Sequence, residues 1–441
     1  MEQELIGHRN TWRLSDKLLP HLGLTFDLTV KRNSLSPSRT CQLYNTVTVP
    51  AFTYASDIWY TPPFKWAHSQ KSSGSVADTE SLQSIQGTAV RYITGGIRGT
   101  AYEVLEAHTN LPPIDLLFRK IQFRATIRIC ALPPHHPLYE VTCWAARHFV
   151  NTHRSPLHYS LFTTGLKLQN VETIDPVHQH PNYCPALKTK ISSDKETTLT
   201  AANENHTESH YKVYCDGSGF EGGAGASAVL YKGNHTIKSL CYHLSPLTEH
   251  TVYKSELIGL MLTLHLLIGL TCQLLFTVTI GINNQAAIRS LTNQKSKPVH
   301  YLLDKIHNAI EQFHQHQDQL QNKTTFQQAW CQQQPLIAKS RNVVDLQILW
   351  VPGHLDFSLN DKANKLTKDA ATGNLSPPRD LPVFLRKPLP VSVSALQQEL
   401  KSKIQQCWAH CWKTSPRCRH MGGIDKSVPS KKWMSDRKSV V

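Results

Sequence analysis

Residues 277–291, TVTIGINNQAAIRSL, pass from the pattern of a strand to the pattern of a helix within two residues. The apolar, β-branched run that ends at Ile282 predicts a buried strand, and QAAIRSL predicts a helix that begins immediately after it. Asn283 and Asn284 occupy the junction, which is where open α/β sheets bind their ligands. Both residues are also good helix N-caps, so a purely structural role is the alternative to a functional one.

The chain on both sides of this junction alternates between strand-like and helix-like segments. Three β-rich runs within residues 212–244 predict an antiparallel meander. A helix follows, with Thr248 or Thr251 as its expected N-cap. Its buried face repeats at helical spacing through Leu257, Leu260, Met261, Leu264 and Leu267. The strand up to Ile282, two helices, a strand in DLQILWVPGH and a helix in NDKANKLTKDAA complete an order that predicts an α/β domain with one mixed sheet.

Four polar positions fall at the same edge of this predicted sheet. Asp216 lies in the first strand, Glu256 on the inner face of the long helix, Asn283 at the end of the fourth strand and Asn364 on the final helix. Taken alone, Asp216 before Gly217 is equally typical of a turn, and Glu256 could be an exposed helix residue. The order of the four segments favours one shared functional site.

The segments YCDGSG, HTVYKSELIGL, GINNQAAI and WVPGHLDFSLNDKANKLTKDAA resemble the signature segments of type 1 ribonuclease H in their order and spacing. The resemblance implies a ribonuclease H-like, five-stranded mixed sheet flanked by helices. It also implies a site at which four acids bind two Mg²⁺ ions, with Mn²⁺ as a substitute, for endonucleolytic hydrolysis of RNA in RNA–DNA hybrids. Mg²⁺ prefers oxygen ligands, and a pair of ions can clamp the attacking and leaving oxygens of a phosphodiester.

The resemblance also assigns roles to individual residues. Asp216 and Glu256 match the first two acids of the family, whereas Asn283 and Asn364 stand where the third and fourth acids are expected. His354, in WVPGH, matches a loop histidine that the family places near the scissile phosphate.

Two amides in place of two acids lower the charge of the site from about −4 to about −2, against the +4 of two divalent ions. We therefore expect impaired or absent cleavage and weak metal binding. Asp361, three residues before Asn364 on the same helix face, is a candidate substitute ligand. The alternative is that Asp361 faces solvent at the start of the helix, where an acid suits the helix dipole.

Composition indicates the class of partner and the compartment. The 441 residues carry a formal charge of +15, and from residue 376 onward 13 Lys and Arg residues face 4 acids. This excess favours nucleic acid over a membrane surface as partner. The apolar run that begins at Leu257 could match a membrane span by length, but it divides into a helix and a strand. The 11 cysteines lack any CxxC pair and no secretory signal opens the chain, which predicts reduced thiols in the nucleus or cytoplasm rather than a secreted protein.

Changes in composition predict the domain boundaries. Residues 1–165 are expected to form a mainly α region, and residues 166–210 a polar linker. Residues 211–372 hold the ribonuclease H-like domain, in which the glutamine-rich stretch 314–341 predicts a poorly ordered loop. Residues 373–441 form the predicted basic C-terminal tail.

The segments that precede the predicted ribonuclease H-like domain resemble part of a larger polyprotein. CQLYNTVTVPAFTYASDIWYTPP and SIQGTAVRYITGGIRGTAYEVLEAHTNLPPIDLL are similar to the connector that follows the polymerase in LINE-type (non-LTR) retrotransposon polyproteins. Residues 54–57, YASD, hold only one of the paired aspartates of a reverse transcriptase, so the ancestral polymerase domain is expected to be missing from this chain. Three hypotheses follow: an active ribonuclease, a catalytically weak or dead nucleic-acid-binding remnant, and a pseudogene product. The residue chemistry favours the second.

A cysteine- and histidine-rich segment near the end of the chain has ligand types suited to zinc. It reads CWAHCWKTSPRCRH, and its ligand spacing matches none of the common zinc fingers. Trp408 and Trp412, four residues apart, instead predict one packed face of a helix.

Overall fold

The computed structural model describes residues 36–65, 70–148, 155–177, 179–180, 182–191, 210–274, 277–293, 295–332, 344–351, 358–421, 423 and 429. The chain divides into two compact units. The helical unit comprises Met1–Cys130, Pro137–Leu168 and Gln397–Val441, and the sheet unit comprises Ala131–His136 and Gln169–Leu396. None of the helices in the described ranges is both long and apolar enough to cross a membrane.

The helical unit consists of short helices around an aromatic core. Its elements are α1 (Pro37–Leu43), a π-helical turn (Tyr44–Thr48), α2 (Val49–Thr53), α3 (Ser56–Trp59), the ribbon β1 (Phe64–Lys65) and β2 (Ser72–Ser73), α4 (Val76–Thr94), α5 (Tyr102–Thr109), α6 (Ile114–Cys130), α7 (Tyr139–Arg147) and α8 (Pro156–Thr164). The rings of Tyr60 and Phe118 stack with centroids 4.0 Å apart, and both side chains are fully buried. Aromatic pairs of this kind add stability beyond the area they bury.

The sheet unit contains the segments that resemble a ribonuclease. Its strands are β3 (Lys188–Lys190), β4 (Tyr211–Phe220), β5 (Gly223–Lys232), β6 (His235–Pro246), β7 (Val278–Ile282) and β8 (Leu346–Trp350). Its helices are α9 (Val252–Ile268), α10 (Gln285–Ser290), α11 (His300–Gln332) and α12 (Ser358–Ala371), followed by two 3₁₀ turns (Pro378–Asp380 and Val383–Arg386). The helix α13 (Val393–Thr414) then begins; its residues from Gln397 onward, and α14 (Pro416–Met421), belong to the helical unit.

One mixed sheet organises the sheet unit, in the order β3-β8-β7-β4-β5-β6. β4, β5 and β6 form the predicted antiparallel meander, while β7 runs parallel to β4 and β8 runs parallel to β7. The parallel register pairs Cys215 with Ile282. The next residues, Asp216 and Asn283, are therefore level with each other at one edge of the sheet.

The helix α9 carries apolar side chains on nearly all of its faces, and nearly all of these faces are buried. It packs against β4 and β5 and also against α11. Leu257 and Leu260 are fully buried in the main core. Thr251, one of the two N-caps that the sequence predicted, caps the helix by accepting a hydrogen bond from the backbone N–H of Lys254.

The predicted count of five strands was wrong, because β3 adds a sixth strand at the edge of the sheet. This strand comes from the segment that the sequence indicated as a linker. Its three residues are exposed and carry no apolar alternation, so the usual strand signal is missing. β3 pairs parallel to β8, and the Lys188 Nζ lies 2.8 Å from the Asp345 carboxylate.

The glutamine-rich stretch was expected to be a loop, but α11 continues through Gln332. Glutamine and lysine are good helix formers, so composition alone was a poor guide here. The buried Gln317 also has a structural role, since its Oε1 accepts a hydrogen bond from the backbone of Leu274 at 2.9 Å. The remainder of the predicted loop, residues 333–341, lies outside the described residues.

The predicted basic tail is folded over most of its described length. Leu381, Leu385 and Leu389 are buried in the main core of the sheet unit. Val391 pairs with Val171, which lies in the predicted linker. These three leucines recur every four residues. The many basic residues in the same region made this apolar pattern hard to recognise in the sequence.

A cluster of buried polar groups holds residues 390–393 against α9. Glu172 accepts hydrogen bonds from the Val393 backbone N–H at 2.8 Å and from the Ser392 hydroxyl at 3.3 Å. Lys254, fully buried, donates to the carbonyl of Pro390 at 2.5 Å. Burial lowers the pKa of Lys254 to about 8, and the negative charge of Glu172 opposes that shift. Buried charges of this kind are tolerated because each one is hydrogen-bonded.

Gly217 is required for the close approach of β4 and α9. A Cβ at this position would lie 2.2 Å from the backbone nitrogen of Glu256, which cannot move without shifting the helix. We predict that Gly217→Ala lowers the free energy of unfolding by about 3 kcal/mol or more, at the upper end of ordinary overpacking. Gly269→Ala is the control, because its Cβ would meet its nearest neighbour at 3.4 Å. Equal urea midpoints for the two variants would contradict this packing.

Candidate active site

Asp216, Glu256 and Asn283 meet at one edge of the sheet. Asp216 and Glu256 are 3% and 4% exposed, so both carboxyl groups are buried. The absence of a side chain at Gly217 lets the backbone of Glu256 approach β4, and this approach brings the two acids together. Burial is costly for the charge of each acid, and their proximity adds repulsion to that cost.

Burial dominates the electrostatics of both acids. It raises the pKa of Asp216, while hydrogen bonds, beginning with the one from the Asn283 amide, and the positive charge of Lys368 oppose the shift. Burial also raises the pKa of Glu256 well above its ordinary value, and the nearby negative charge of Asp216 raises it further. Two adjacent buried carboxyls disfavour each other's ionised form.

The two amides at the strand–helix junction each contact one of the acids. The Asn283 Nδ2 donates to the Asp216 Oδ1 at 2.5 Å, and the Asn284 Nδ2 donates to the Glu256 Oε1 at 3.4 Å. Asn284 also caps α10, because its Oδ1 accepts from the backbone N–H groups of Ala286 and Ala287 at 2.9 and 3.2 Å. Both interpretations of this junction therefore apply. The side-chain oxygen of Asn284 caps the helix, while the side-chain nitrogens of Asn283 and Asn284 contact the acids.

Two oxygens of this cluster remain without a hydrogen-bond partner. They are the Glu256 Oε2 and the Asn283 Oδ1, both buried. The Asn283 backbone is held independently, since its carbonyl accepts from the Trp350 indole at 3.0 Å. The Asn283 side chain thus presents its N–H, rather than its oxygen, to the carboxylate.

The fourth predicted position lies on α12, a different element from those that carry the two acids. Asn364 is half-buried on α12, one turn before Lys368, and no hydrogen bond among the described residues joins it to Asp216 or Glu256. Asp361 is exposed in the first turn of the same helix. His354 lies outside the described residues.

A buried pair of hydroxyls, which the sequence analysis missed, ties α12 to the site. The Thr367 Oγ1 donates to the backbone carbonyl of Asp216 at 3.2 Å and lies 2.7 Å from the Ser227 Oγ. Ser227 in turn donates to the carbonyl of Ala363 at 2.8 Å. In the sequence, Thr367 shares the buried helix face of Ala363 and Ala370. This spacing is the signal that could have identified Thr367 as a buried residue.

The side chains present do not fit a pair of Mg²⁺ ions. No group of three or more Asp, Glu, His or Cys side chains suited to a metal occurs in the part of the chain that the structure describes. Asp216 and Glu256 are the two acids of the cluster, and each already accepts a hydrogen bond from an amide. Hard divalent ions need several oxygen ligands with enough negative charge to repay their dehydration, and two neutral amides do not supply that charge.

No family model matches the chain, and no curated protein is similar to it. Solved structures give partial likenesses. The ribonuclease H1 of Halobacterium salinarum NRC-1 is 15% identical, with 37% of this chain and 98% of that chain covered and a TM-score of 0.24.

Two further ribonuclease H structures are similar to the same extent. LC11-RNase H1 in complex with an RNA/DNA hybrid is 15% identical, with 37% of this chain and 96% of that chain covered and a TM-score of 0.25. The N-terminal RNase H domain of a Mycobacterium tuberculosis protein, fused to maltose-binding protein, is 16% identical, with coverage of 36% and 98% and a TM-score of 0.23. Likeness at this level does not establish an activity for this chain.

The raised pKa of Glu256 makes a prediction about stability and pH. Above the ordinary glutamate pKa, the unfolded chain releases this proton while the folded protein retains it, so stability falls as pH rises through that window. We predict that Glu256→Gln stabilises the protein at about pH 7, where the unfolded chain has released the glutamate proton, and stabilises it much less at about pH 4.

The measurement is the urea midpoint of each protein at the two pH values. Glu249→Gln is the matched control, because Glu249 is exposed. A gain for Glu256→Gln that is equal at both pH values, or a loss near neutrality, would show that the buried charge does not govern this site.

Proposed function

We propose that the sheet unit is a ribonuclease H-like domain that binds nucleic acid, in particular RNA–DNA hybrids, and whose hydrolytic activity is impaired. One observation carries the proposal: the Asn283 amide donates a hydrogen bond to the Asp216 carboxylate, at the position where the resemblance implies a third acid. The neutral amide supplies one hydrogen-bond donor where a metal ion would supply positive charge. The proposed site therefore keeps two of the four acids that the resemblance implies.

The fold supports the first part of the proposal. An antiparallel meander of β4, β5 and β6, followed by parallel β7 and β8, makes the mixed sheet that the resemblance implies. The two remaining acids, Asp216 and Glu256, are buried together at one edge of it. This is the kind of position at which α/β sheets carry their functional groups.

Exposed basic residues support nucleic-acid binding. Lys362, Lys365 and Lys368 lie on α12, and Arg289 lies on α10 directly after the site. Lys368 is close enough to Asp216 for its charge to act on the pKa of that acid. Lysine and arginine that neutralise phosphates release counterions, so this binding would weaken steeply with salt.

Impaired hydrolysis follows from the donor set. Two-metal hydrolysis needs ions that stabilise both the attacking and the leaving oxygen. Asp216 and Glu256 offer at most two negative charges, and both have a raised pKa that disfavours even these. A shortfall of a few kcal/mol in metal binding or transition-state stabilisation removes several orders of magnitude in rate, at about 1.4 kcal/mol per tenfold.

We further propose that the chain derives from the C-terminal part of a LINE-type retrotransposon polyprotein, and that it works in the nucleus or cytoplasm. The segments on either side of the sheet unit support this origin by their resemblance to such polyproteins. The alternative of a pseudogene product predicts that the protein does not accumulate in cells. An antibody against the chain distinguishes the two.

The test compares the natural full-length protein with Asn283→Asp/Asn364→Asp on an end-labelled RNA–DNA hybrid, in Mg²⁺ and in Mn²⁺. We expect salt-sensitive binding by both proteins and cleavage of the RNA strand only by the double variant, at least about 100-fold faster. Adding Asp216→Asn to the double variant should abolish that cleavage.

A charge-matched control isolates the contribution of position 364. Asn283→Asp/Asn308→Asp adds the same total charge, but Asn308 is exposed on α11 rather than on α12. It should cleave far more slowly than the double variant. Cleavage by the natural protein that disappears with Asp216→Asn would contradict the proposed impairment, and a double variant that binds without cleaving would contradict the ribonuclease H assignment.

A further inference from the structure

A cavity in the helical unit lies between α4, α5 and the end of α13. Its volume is about 460 Å³, within the range of about 300–1,000 Å³ that small-molecule sites occupy. Trp408, Trp412 and Tyr102 line it together with Glu106, Glu103 and Arg417. The function proposed above for the sheet unit makes no use of this cavity.

Glu106 is an unusual lining residue because it is a buried acid without a cation. It is 3% exposed, and no lysine or arginine in the described part of the chain forms an ion pair with it. The side-chain amides of Gln83 and Gln86 both donate to its Oε1, the latter at 2.8 Å. A buried carboxyl is costly to maintain without a charged partner. Burial accordingly raises its pKa, and the two amide hydrogen bonds limit the rise.

The surroundings hold this acid in a fixed orientation. Gln86 donates also to the carbonyl of Pro112 at 3.1 Å and accepts from the Tyr44 hydroxyl at 3.2 Å. The Gln83 Oε1 accepts from the backbone N–H of Ile114 at 3.2 Å. Because both hydrogen bonds to Glu106 converge on Oε1, Oε2 is the oxygen left for a ligand. A carboxyl group held this rigidly is suited to recognise a ligand by the hydrogen-bond donors that the ligand presents.

The aromatic walls supply flat apolar faces beside the acid. Trp408 is half-buried, and Trp412 is buried at 7% exposure. The Tyr102 ring is fixed by Arg91, whose guanidinium lies 4.5 Å from the ring centroid and donates to the hydroxyl at 2.7 Å. The Ser415 hydroxyl donates to the Glu103 carboxylate at 2.5 Å, which fastens the end of the long C-terminal helix to α5. These rings can stack against a planar ligand.

We infer that this cavity binds an unpaired guanine base of single-stranded nucleic acid, which stacks on Trp408 and donates to the Glu106 carboxyl. Among the bases, guanine presents two adjacent donors, N1–H and the N2 amino group, on its Watson–Crick edge. Because both donors point toward the same region, the one free oxygen of Glu106, Oε2, can accept from the two of them through its lone pairs. Arg417, exposed at the rim, is placed to contact a phosphate of the same strand.

An organic cation is the competing ligand, since aromatic rings and acids also bind quaternary ammonium groups. Two observations favour the base. Arg417 at the rim would repel a cation, and the formal charge of +15 attracts a phosphate backbone. Stacking of an unpaired base on an aromatic ring, with hydrogen bonds to its Watson–Crick edge, is the usual chemistry of single-strand recognition.

The experiment measures the affinity of the full-length protein for fluorescein-labelled RNA pentamers that differ only in the central base, UUGUU, UUAUU, UUCUU and UUUUU. We expect UUGUU to bind about tenfold more tightly than the others, the effect of one charge-assisted hydrogen-bonded pair. Guanosine monophosphate and tetramethylammonium serve as unlabelled competitors.

Two variants separate stacking from base reading. Trp408→Leu should weaken all pentamers, and UUGUU by about tenfold or more. Glu106→Gln should remove the preference for guanine while leaving most of the affinity for the other pentamers. Trp144→Leu is the matched control, because Trp144 is 56% exposed and does not line the cavity. It should bind every pentamer as the natural protein does.

Competition by guanosine monophosphate would support a base site open to free nucleotides, and guanine preference without such competition would support recognition within a strand. Equal affinity for all four pentamers would overturn the inference. So would identical behaviour of Trp408→Leu and Trp144→Leu, or displacement of UUGUU by tetramethylammonium alone. If Glu106→Gln does not fold, the comparison of the two tryptophan variants still decides.

Discussion

Two carboxyl groups, Asp216 and Glu256, are buried beside each other where α9 crosses β4, and the surroundings have to accommodate that arrangement. Gly217 makes the crossing close enough, and the parallel register of β4 with β7 sets Asn283 level with Asp216. The hydroxyl pair of Ser227 and Thr367 then fastens α12 behind the same strand. A protein without a use for this edge would be more stable with apolar side chains there, because buried unpaired charge is costly.

The amides moderate this cost in place of an ion. Each donates one N–H to one carboxyl, and neither introduces a further charge. An acid at Asn283 would raise the repulsion within the cluster unless a cation entered with it. Two acids and two amides are therefore electrostatically compatible at this edge of the sheet.

The core of the sheet unit could be predicted from the sequence, since β4, β5 and β7 are β-rich runs bounded by turn signals and α9 carries apolar residues at helical spacing. The relative position of Asp216 and Asn283 could be inferred from strand order. The partner of each amide could not, because it depends on which asparagine caps α10 and which is left to turn toward β4.

The remaining errors share one physical origin, which is that polar composition does not exclude packing. β3 is a short, exposed strand without alternation, yet its backbone completes the edge of β8. α11 extends into glutamine-rich sequence because glutamine suits a helix. In the basic C-terminal region, Leu381, Leu385 and Leu389 anchor the chain while the charged side chains between them dominate the composition.

The central claim of the proposed function is that the amide–carboxylate pairing at this edge of the sheet disfavours metal binding. It is tested most directly by titrating the full-length natural protein and its Asp216→Asn variant with Mn²⁺ and counting bound ions by electron paramagnetic resonance. The account predicts identical titrations for the two proteins through the millimolar range. One or more ions bound by the natural protein and lost with Asp216→Asn would contradict it.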